Sequence, residues 1–97
     1  MAPAKLSDAE IANALGSLTG WSRKGDMLVK TYSFKTFVAG IAFVNAAAAE
    51  AERVQHHPDL DIRYSKISVG LSSHDAGGIT EKDVAMARLM EQFAPVI

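Results

Sequence analysis

Residues 60–72, LDIRYSKISVGLS, decide how this chain folds. Their apolar side chains fall on even numbers up to Tyr64 (Leu60, Ile62, Tyr64) and on odd numbers from Ile67 onward (Ile67, Val69, Leu71). A strand alternates its faces with a period of two and cannot change phase without a break, so the chain must turn near Ser65-Lys66. The segment therefore reads as a hairpin. An earlier stretch, WSRKGDMLVKTYSF (21–34), reads as another, with Gly25-Asp26 as the turn signal between two short β-prone runs. Lys30 interrupts the apolar face that Leu28 and Tyr32 share in that reading.

Helical patterns surround the two hairpins. In LSDAEIANALGSL (6–18), Ser7 is placed to cap, Glu10 follows three residues later, Leu6 is placed to staple the start, and Ile11, Leu15 and Leu18 share a face that Gly20 ends. Ser33 or Thr36 caps the next helix, whose apolar residues Phe37, Ile41, Val44, Ala48, Ala51 and Val54 recur at three- and four-residue spacing. It stops before Pro58, because a residue preceding proline is pushed out of the helical region. SHDAGG (73–78) is a loop. TEKDVAMARLMEQFA (80–94) is a last helix, capped by Thr80, with Val84, Ala87, Leu89, Met90 and Phe93 on the buried side and Pro95 closing it. The order α-β-β-α-β-β-α predicts an α+β fold: a four-stranded antiparallel sheet with three helices packed on one face. The other face is expected to be wet or to serve self-association.

Ninety-seven residues, 48% of them hydrophobic, suit one domain spanning 1–97, with 1–5 expected to be a flexible tail. Ten basic against eleven acidic side chains give a net charge of −1, so no basic field is present to hold a nucleic-acid backbone. The absence of cysteine excludes a disulfide framework, a thiol nucleophile and thiolate-held zinc. Neither an export signal nor a membrane-length apolar run is present, and the expectation is a soluble, cytoplasmic protein.

The chemistry-bearing residues are the three histidines. His56 and His57 fall at or just past the end of the central helix, and His74 lies in the loop after the last strand. The start of one strand and the end of its antiparallel partner lie at the same end of a sheet, so all three imidazoles are able to converge. Imidazole titrates near neutral pH, about 6.5 unperturbed, which suits it to general acid and base work. Glu52, four residues before His56, is placed one turn away to orient its ring. The bland alternatives are a helix C-terminal cap for His56 or His57 and a solvated loop residue for His74. A three-histidine metal site is the other functional alternative, but the spacing is no known ligand signature and adjacent histidines reach one ion poorly, so no metal is expected. The sequence lacks a G-x-S-x-G elbow and a phosphate-cradling glycine loop. Trp21 reads as core by default, or as a wall for a flat heterocycle.

An acidic residue, three spacers, His-His-Pro, five spacers, an aromatic, nine spacers, a His and a later acidic residue form a pattern met here by Glu52, His56-His57-Pro58, Tyr64, His74 and Asp83. In this the chain resembles the pterin-4a-carbinolamine dehydratases. The resemblance implies a dehydratase that converts 4a-hydroxytetrahydropterin to quinonoid dihydropterin during recycling of the pterin used by aromatic amino acid hydroxylases. It further implies that His56, His57 and His74 line the active site; the chemistry of water loss then leads us to expect His56 and His74 as the acid/base pair and His57 as the residue that orients the pterin. By the same likeness Pro58 shapes the site, Trp21 lies near the pterin, and Gln55, Ser72, Ser73 and Asp75 supply polar contacts. Glu52 and Asp83 are supporting carboxylates, although Asp83 has a plainer alternative in the first turn of its helix, where the dipole favours it. Two positions depart from the family pattern: Gln55 stands where Asp or Asn is usual, and Lys82 where Arg is usual, without the planar two-pronged contact of Arg. The family resemblance implies no cofactor, a pterin substrate, and a homo-oligomer, dimer or tetramer. The rival it carries is a non-catalytic dimerisation or transcriptional co-activator module of the same fold.

Overall fold

Two hairpins supply the whole sheet. The elements run α1 (Asp8–Leu15), β1 (Ser22–Lys24), β2 (Met27–Ser33), α2 (Phe37–Val54), β3 (Asp59–Arg63), β4 (Lys66–Leu71) and α3 (Glu81–Phe93). The computed structural model describes residues 4–94, so residues 1–3 of the expected tail and the helix-closing Pro95 lie outside the described residues. The strand order is β1-β2-β4-β3, and every neighbouring pair is antiparallel. The change of phase marks the β3–β4 turn as expected, but the last paired residues are Arg63 and Lys66, so the turn is Tyr64-Ser65, one residue earlier than predicted. Tyr64 there adopts φ 54°, in the left-handed region that costs a side-chain-bearing residue about 1–2 kcal/mol. Tyr64→Gly is therefore expected to raise stability by about 1 kcal/mol. That corresponds to a thermal midpoint higher by roughly 4 °C or more for a domain of this size, read from melts at matched concentration.

The first helix starts as its sequence directs: Glu10 N–H donates to Ser7 Oγ at 3.1 Å and Ser7 N–H to the Glu10 carboxylate at 2.8 Å. It ends at Leu15, earlier than the Gly20 stop that the periodicity predicts. Ser17 N–H and Leu18 N–H reach back only three residues, to the carbonyls of Ala14 and Leu15, so the chain tightens after Gly16 and still delivers Leu18 to the core. In α2, Thr36 rather than Ser33 is the cap, accepting from Ala39 N–H at 3.0 Å. The stripe facing the sheet is Gly40, Phe43, Ala47 and Ala51; of the expected row Phe37, Ile41, Val44, Ala48, Ala51 and Val54, Ala51 is buried and Val44 packs against the core, while Phe37 and Val54 are exposed. Phe43 packs among Tyr32, Phe34 and Phe93, and one ring of that size sets the rotation of the helix. Phe37 and Val38 remain exposed as a result. The core joins Leu28 and Tyr32 of β2, Ile67, Val69 and Leu71 of β4, and Val84, Met86, Ala87 and Met90 of α3.

Lys30 does face the same side as Leu28 and Tyr32, and Glu91 resolves the conflict. The Lys30 ammonium lies 2.7 Å from Glu91 Oε2, the same oxygen that accepts from Trp21 Nε1–H at 3.1 Å and from the Tyr32 hydroxyl. Burial and the carboxylate beside it push the Tyr32 phenol far above its usual range. Burial alone raises the carboxyl of Glu91, but the bonds from Lys30, Tyr32 and Trp21 outweigh it and hold Glu91 below its ordinary value of 4.5. A carboxyl depressed by folding contributes stability that is complete above its unfolded value and is lost as pH falls through the folded one. Glu91→Gln is therefore expected to be less stable than the parent at pH 7, with the gap closing below about pH 4.5. Urea titrations of both proteins at pH 7 and pH 3 measure this; a gap independent of pH would reject it.

Candidate active site

The end of α2 aims the paired histidines. Gln55 closes the helix in the left-handed conformation, φ 54° and ψ 45°, and its side chain donates to Glu52 O at 2.7 Å. Asp and Asn visit that conformation more readily than Gln. The reversal at Gln55 breaks the four-residue helical relation on which the expected Glu52–His56 pairing depends. Glu52 bonds His57 Nε2 instead, with both side chains largely open to solvent. His56 swings toward α3, where its Nε2 lies 2.5 Å from Asp83 Oδ1. The correction is specific: two neighbouring imidazoles are held by two carboxylates from different helices.

Asp83 is fully buried, and it does far more than sit in a first turn. Its Oδ2 accepts from Thr80 N–H at 2.9 Å and from Ser73 Oγ at 2.9 Å, completing the capping box of α3. Because Ser73 donates to Asp83, the 2.8 Å contact between Ser73 and Thr80 hydroxyls has Thr80 as donor. The network ties the His56 ring to α3 through Nε2, leaving Nδ1 as its remaining nitrogen. Ser73, expected as a substrate contact, is buried inside this network.

The loop that carries His74 is clamped at its base. Ser73 N–H donates to Gly78 O at 2.8 Å and Gly78 N–H to Ser73 O at 3.2 Å, around a 3-10 turn over His74–Ala76. Gly77, at φ 76°, supplies the backbone reversal that lets six residues close so tightly. His74 stands exposed at the start of that turn, and no side-chain hydrogen bond to its ring occurs among the described residues.

A cleft of about 300 Å³ is lined by Gln55, His56, His57, Ser72, His74, Asp75 and Lys82. Thus all three imidazoles meet at one end of the sheet, where Asp59 of β3 pairs with Gly70 of β4. Pro58, half-buried, carries the chain from His57 into β3. One expected participant, Trp21, and one residue of the family pattern, Tyr64, lie elsewhere. Trp21 is core, edge-on to Tyr32 at 6.3 Å and bonded to Glu91, eight residues along α3 from Asp83. Tyr64 occupies the opposite end of the β3–β4 hairpin. The sequence reading missed the His56–Asp83 contact; Thr80 and Asp83 at capping-box spacing signal the cap, but nothing local signals the histidine. A larger hollow of about 470 Å³ on the helix-free face of the sheet has no histidine in its lining. Among the described residues no group of three or more His, Asp or Glu side chains is arranged to hold a metal ion.

Fold and site together define a small α+β protein with a histidine-lined cleft braced by carboxylates. The family model described as pterin 4 alpha carbinolamine dehydratase matches residues 4–93, and this chain belongs to that family. A Thermomicrobium roseum protein, provisionally named a pterin-4-alpha-carbinolamine dehydratase, is 50% identical over 91 residues, covering 94% of this chain and 98% of its own. A Roseiflexus sp. protein with the same provisional name is 48% identical, covering 92% and 96%. A crystal structure from Brucella melitensis, described as a transcriptional coactivator/pterin dehydratase, matches with a TM-score of 0.91 at 33% identity, over 94% of this chain and 99% of that one. A pterin dehydratase-like protein described as a RuBisCO assembly factor shares the fold, with a TM-score of 0.64 at 24% identity over 79% of this chain and 89% of its own.

Proposed function

We propose that this protein is a 4a-hydroxytetrahydropterin dehydratase working by histidine acid/base catalysis. The observation that carries the reading is the meeting of His56, His57 and His74 on one cleft, two of them braced by carboxylates, in a chain of this family. In the reaction the C4a–O bond breaks with its electron pair leaving on oxygen, and a delivered proton turns that oxygen into water. The neighbouring ring nitrogen closes a C=N bond with its lone pair and gives up its own proton. One proton enters and one leaves, with no change of oxidation state, so two positioned imidazoles are sufficient.

His74, unencumbered, is the acid that meets the departing hydroxyl. Asp83 holds a proton on His56 Nε2, which leaves Nδ1 as the lone-pair nitrogen and makes His56 the base. His57, tied to Glu52, orients the pterin. The test is to generate the 4a-hydroxypterin in solution and follow its dehydration spectroscopically with and without the protein. A rate equal to the spontaneous background would reject the reading.

The Brucella description supports a second reading, a transcriptional co-activator module of the same fold. Exposed Phe37 and Val38 on α2 and exposed Ile62 on the outer strand β3 favour self-association under either reading. Light scattering is expected to give a dimer or tetramer; a monomer at micromolar concentration would reject self-association.

A further inference from the structure

One buried hydroxyl stands between the proposed acid and the proposed base. Ser73 is 1% exposed, yet its chain neighbours Ser72 and His74 both line the histidine cleft. Its backbone is extended, at φ −109° and ψ 97°, and it bridges Gly78 as an isolated antiparallel pair. Successive side chains of an extended chain point to opposite sides, so 72 and 74 emerge at the cleft while 73 turns inward. A serine preceding a helical turn ordinarily caps that turn with its hydroxyl. Ser73 makes no such bond to the 3-10 turn over His74–Ala76. Its Oγ goes to α3 instead, donating to Asp83 Oδ2 at 2.9 Å and accepting from the Thr80 hydroxyl at 2.8 Å. The other oxygen of that carboxylate holds the His56 ring. Among the described residues no other side chain of the 73–78 loop makes a hydrogen bond, so this contact is the loop's one side-chain tie to the group that holds His56.

We infer that Ser73 is a positioning residue of the reaction, which sets the span between the His74 and His56 rings through Asp83. The inference rests on the dehydratase reading and adds a residue to it. The oxygen that leaves and the nitrogen that loses its proton sit on adjacent ring atoms, so acid and base must reach one heterocycle together. A misplacement of an ångström between such groups costs about 10² in rate. A hydroxyl donating to a carboxylate makes a short, directional, charge-assisted bond, which suits it to holding that span. Ser73 itself lies outside the cleft lining, so it acts on the two rings and not on the pterin.

The experiment compares Ser73→Ala, Ser73→Cys and Ser73→Thr with the parent, with rates expressed per folded molecule. Alanine removes the hydroxyl, cysteine fills its space with only a weak donor, and threonine restores it on an extended backbone that suits a β-branched side chain. The cap of α3 survives all three, because Thr80 still accepts from Lys82 N–H at 3.2 Å and Asp83 from Thr80 N–H at 2.9 Å. The backbone clamp at Gly78 limits the displacement, so kcat is expected to fall about tenfold in the alanine and cysteine variants. KM should stay within about twofold, and threonine should recover most of the rate. In a His74→Ala background no acid is left to misplace, and Ser73→Ala should then alter the residual kcat by less than about twofold. A kcat per folded molecule that does not change, or a tenfold loss that persists without His74, would overturn the inference. Nitrogen-15 relaxation of the His74–Ala76 amides reads the same tie without turnover: order parameters near 0.85 in the parent should drop in the alanine and cysteine variants while those of α3 hold. If no 4a-hydroxypterin is dehydrated above background yet the turn loosens in this way, the tie stands and the dehydratase reading falls. A turn equally ordered in every variant rejects the tie.

Discussion

Alanine at position 74 is expected to slow dehydration by at least about 10²-fold, the lower end of what one positioned proton transfer contributes. The thermal midpoint should stay essentially where it was. The imidazole is exposed and makes no side-chain hydrogen bond among the described residues, while the loop beneath it is held by the backbone pair of Ser73 and Gly78 and by Gly77 N–H to His74 O. None of those bonds needs the side chain. Initial rates and a melt on the same preparation measure both quantities. An unaltered rate would remove His74 from the mechanism.

The second large effect belongs to Asp83, and two substitutions separate its roles. Asp83→Ala removes the acceptor for Ser73 Oγ, Thr80 N–H and His56 at once, inside a fully buried site. Leaving such partners unpaired costs about 3–5 kcal/mol, a large share of the about 5–15 kcal/mol that holds a domain folded. Urea denaturation should register that loss. Asp83→Asn keeps an oxygen for Thr80 and Ser73 but turns an amide N–H₂ toward His56 Nε2, which must then accept. The proton moves to Nδ1, the nitrogen assigned as base, so the rate should fall by about 10²-fold or more for about 1 kcal/mol of stability. Nitrogen-15 NMR of the imidazole distinguishes this from simple loosening. The native ring should carry its proton on Nε2 and the variant on Nδ1; an unchanged tautomer would reject the positioning role.

Local signals in the chain announced much of this. The change of phase between Tyr64 and Ile67, the Ser7–Glu10 box and the Gly25-Asp26 turn each depend on neighbours within a few residues, and each appears, the first with its turn one residue early. What escaped depends on contacts between distant segments. The rotation of α2 is set by Phe43 meeting rings from β2 and α3, which no periodicity within residues 37–54 encodes. Glu91 neutralises Lys30 across 61 residues. At the cleft, antiparallel pairing was enough to bring the three histidines together. Their carboxylate partners were not legible, because the left-handed turn at Gln55 reassigns Glu52 to His57 and frees His56 for Asp83, 27 residues away.

The narrow residues beneath α2 act as a shim. Gly40, Ala47 and Ala51 let the helix lie low over β4, and a methyl group added at Gly40 meets Ile67 Cδ1 at 3.4 Å. The far tip of that same rod carries His56 and His57, so its height over the strands fixes how far their rings project toward position 74. Thickening the shim at Ala47 would tilt the tip without touching anything bound there, and an ångström of misplacement is worth about 10² in rate. Variants with altered turnover should therefore arise under the rod as well as around its end.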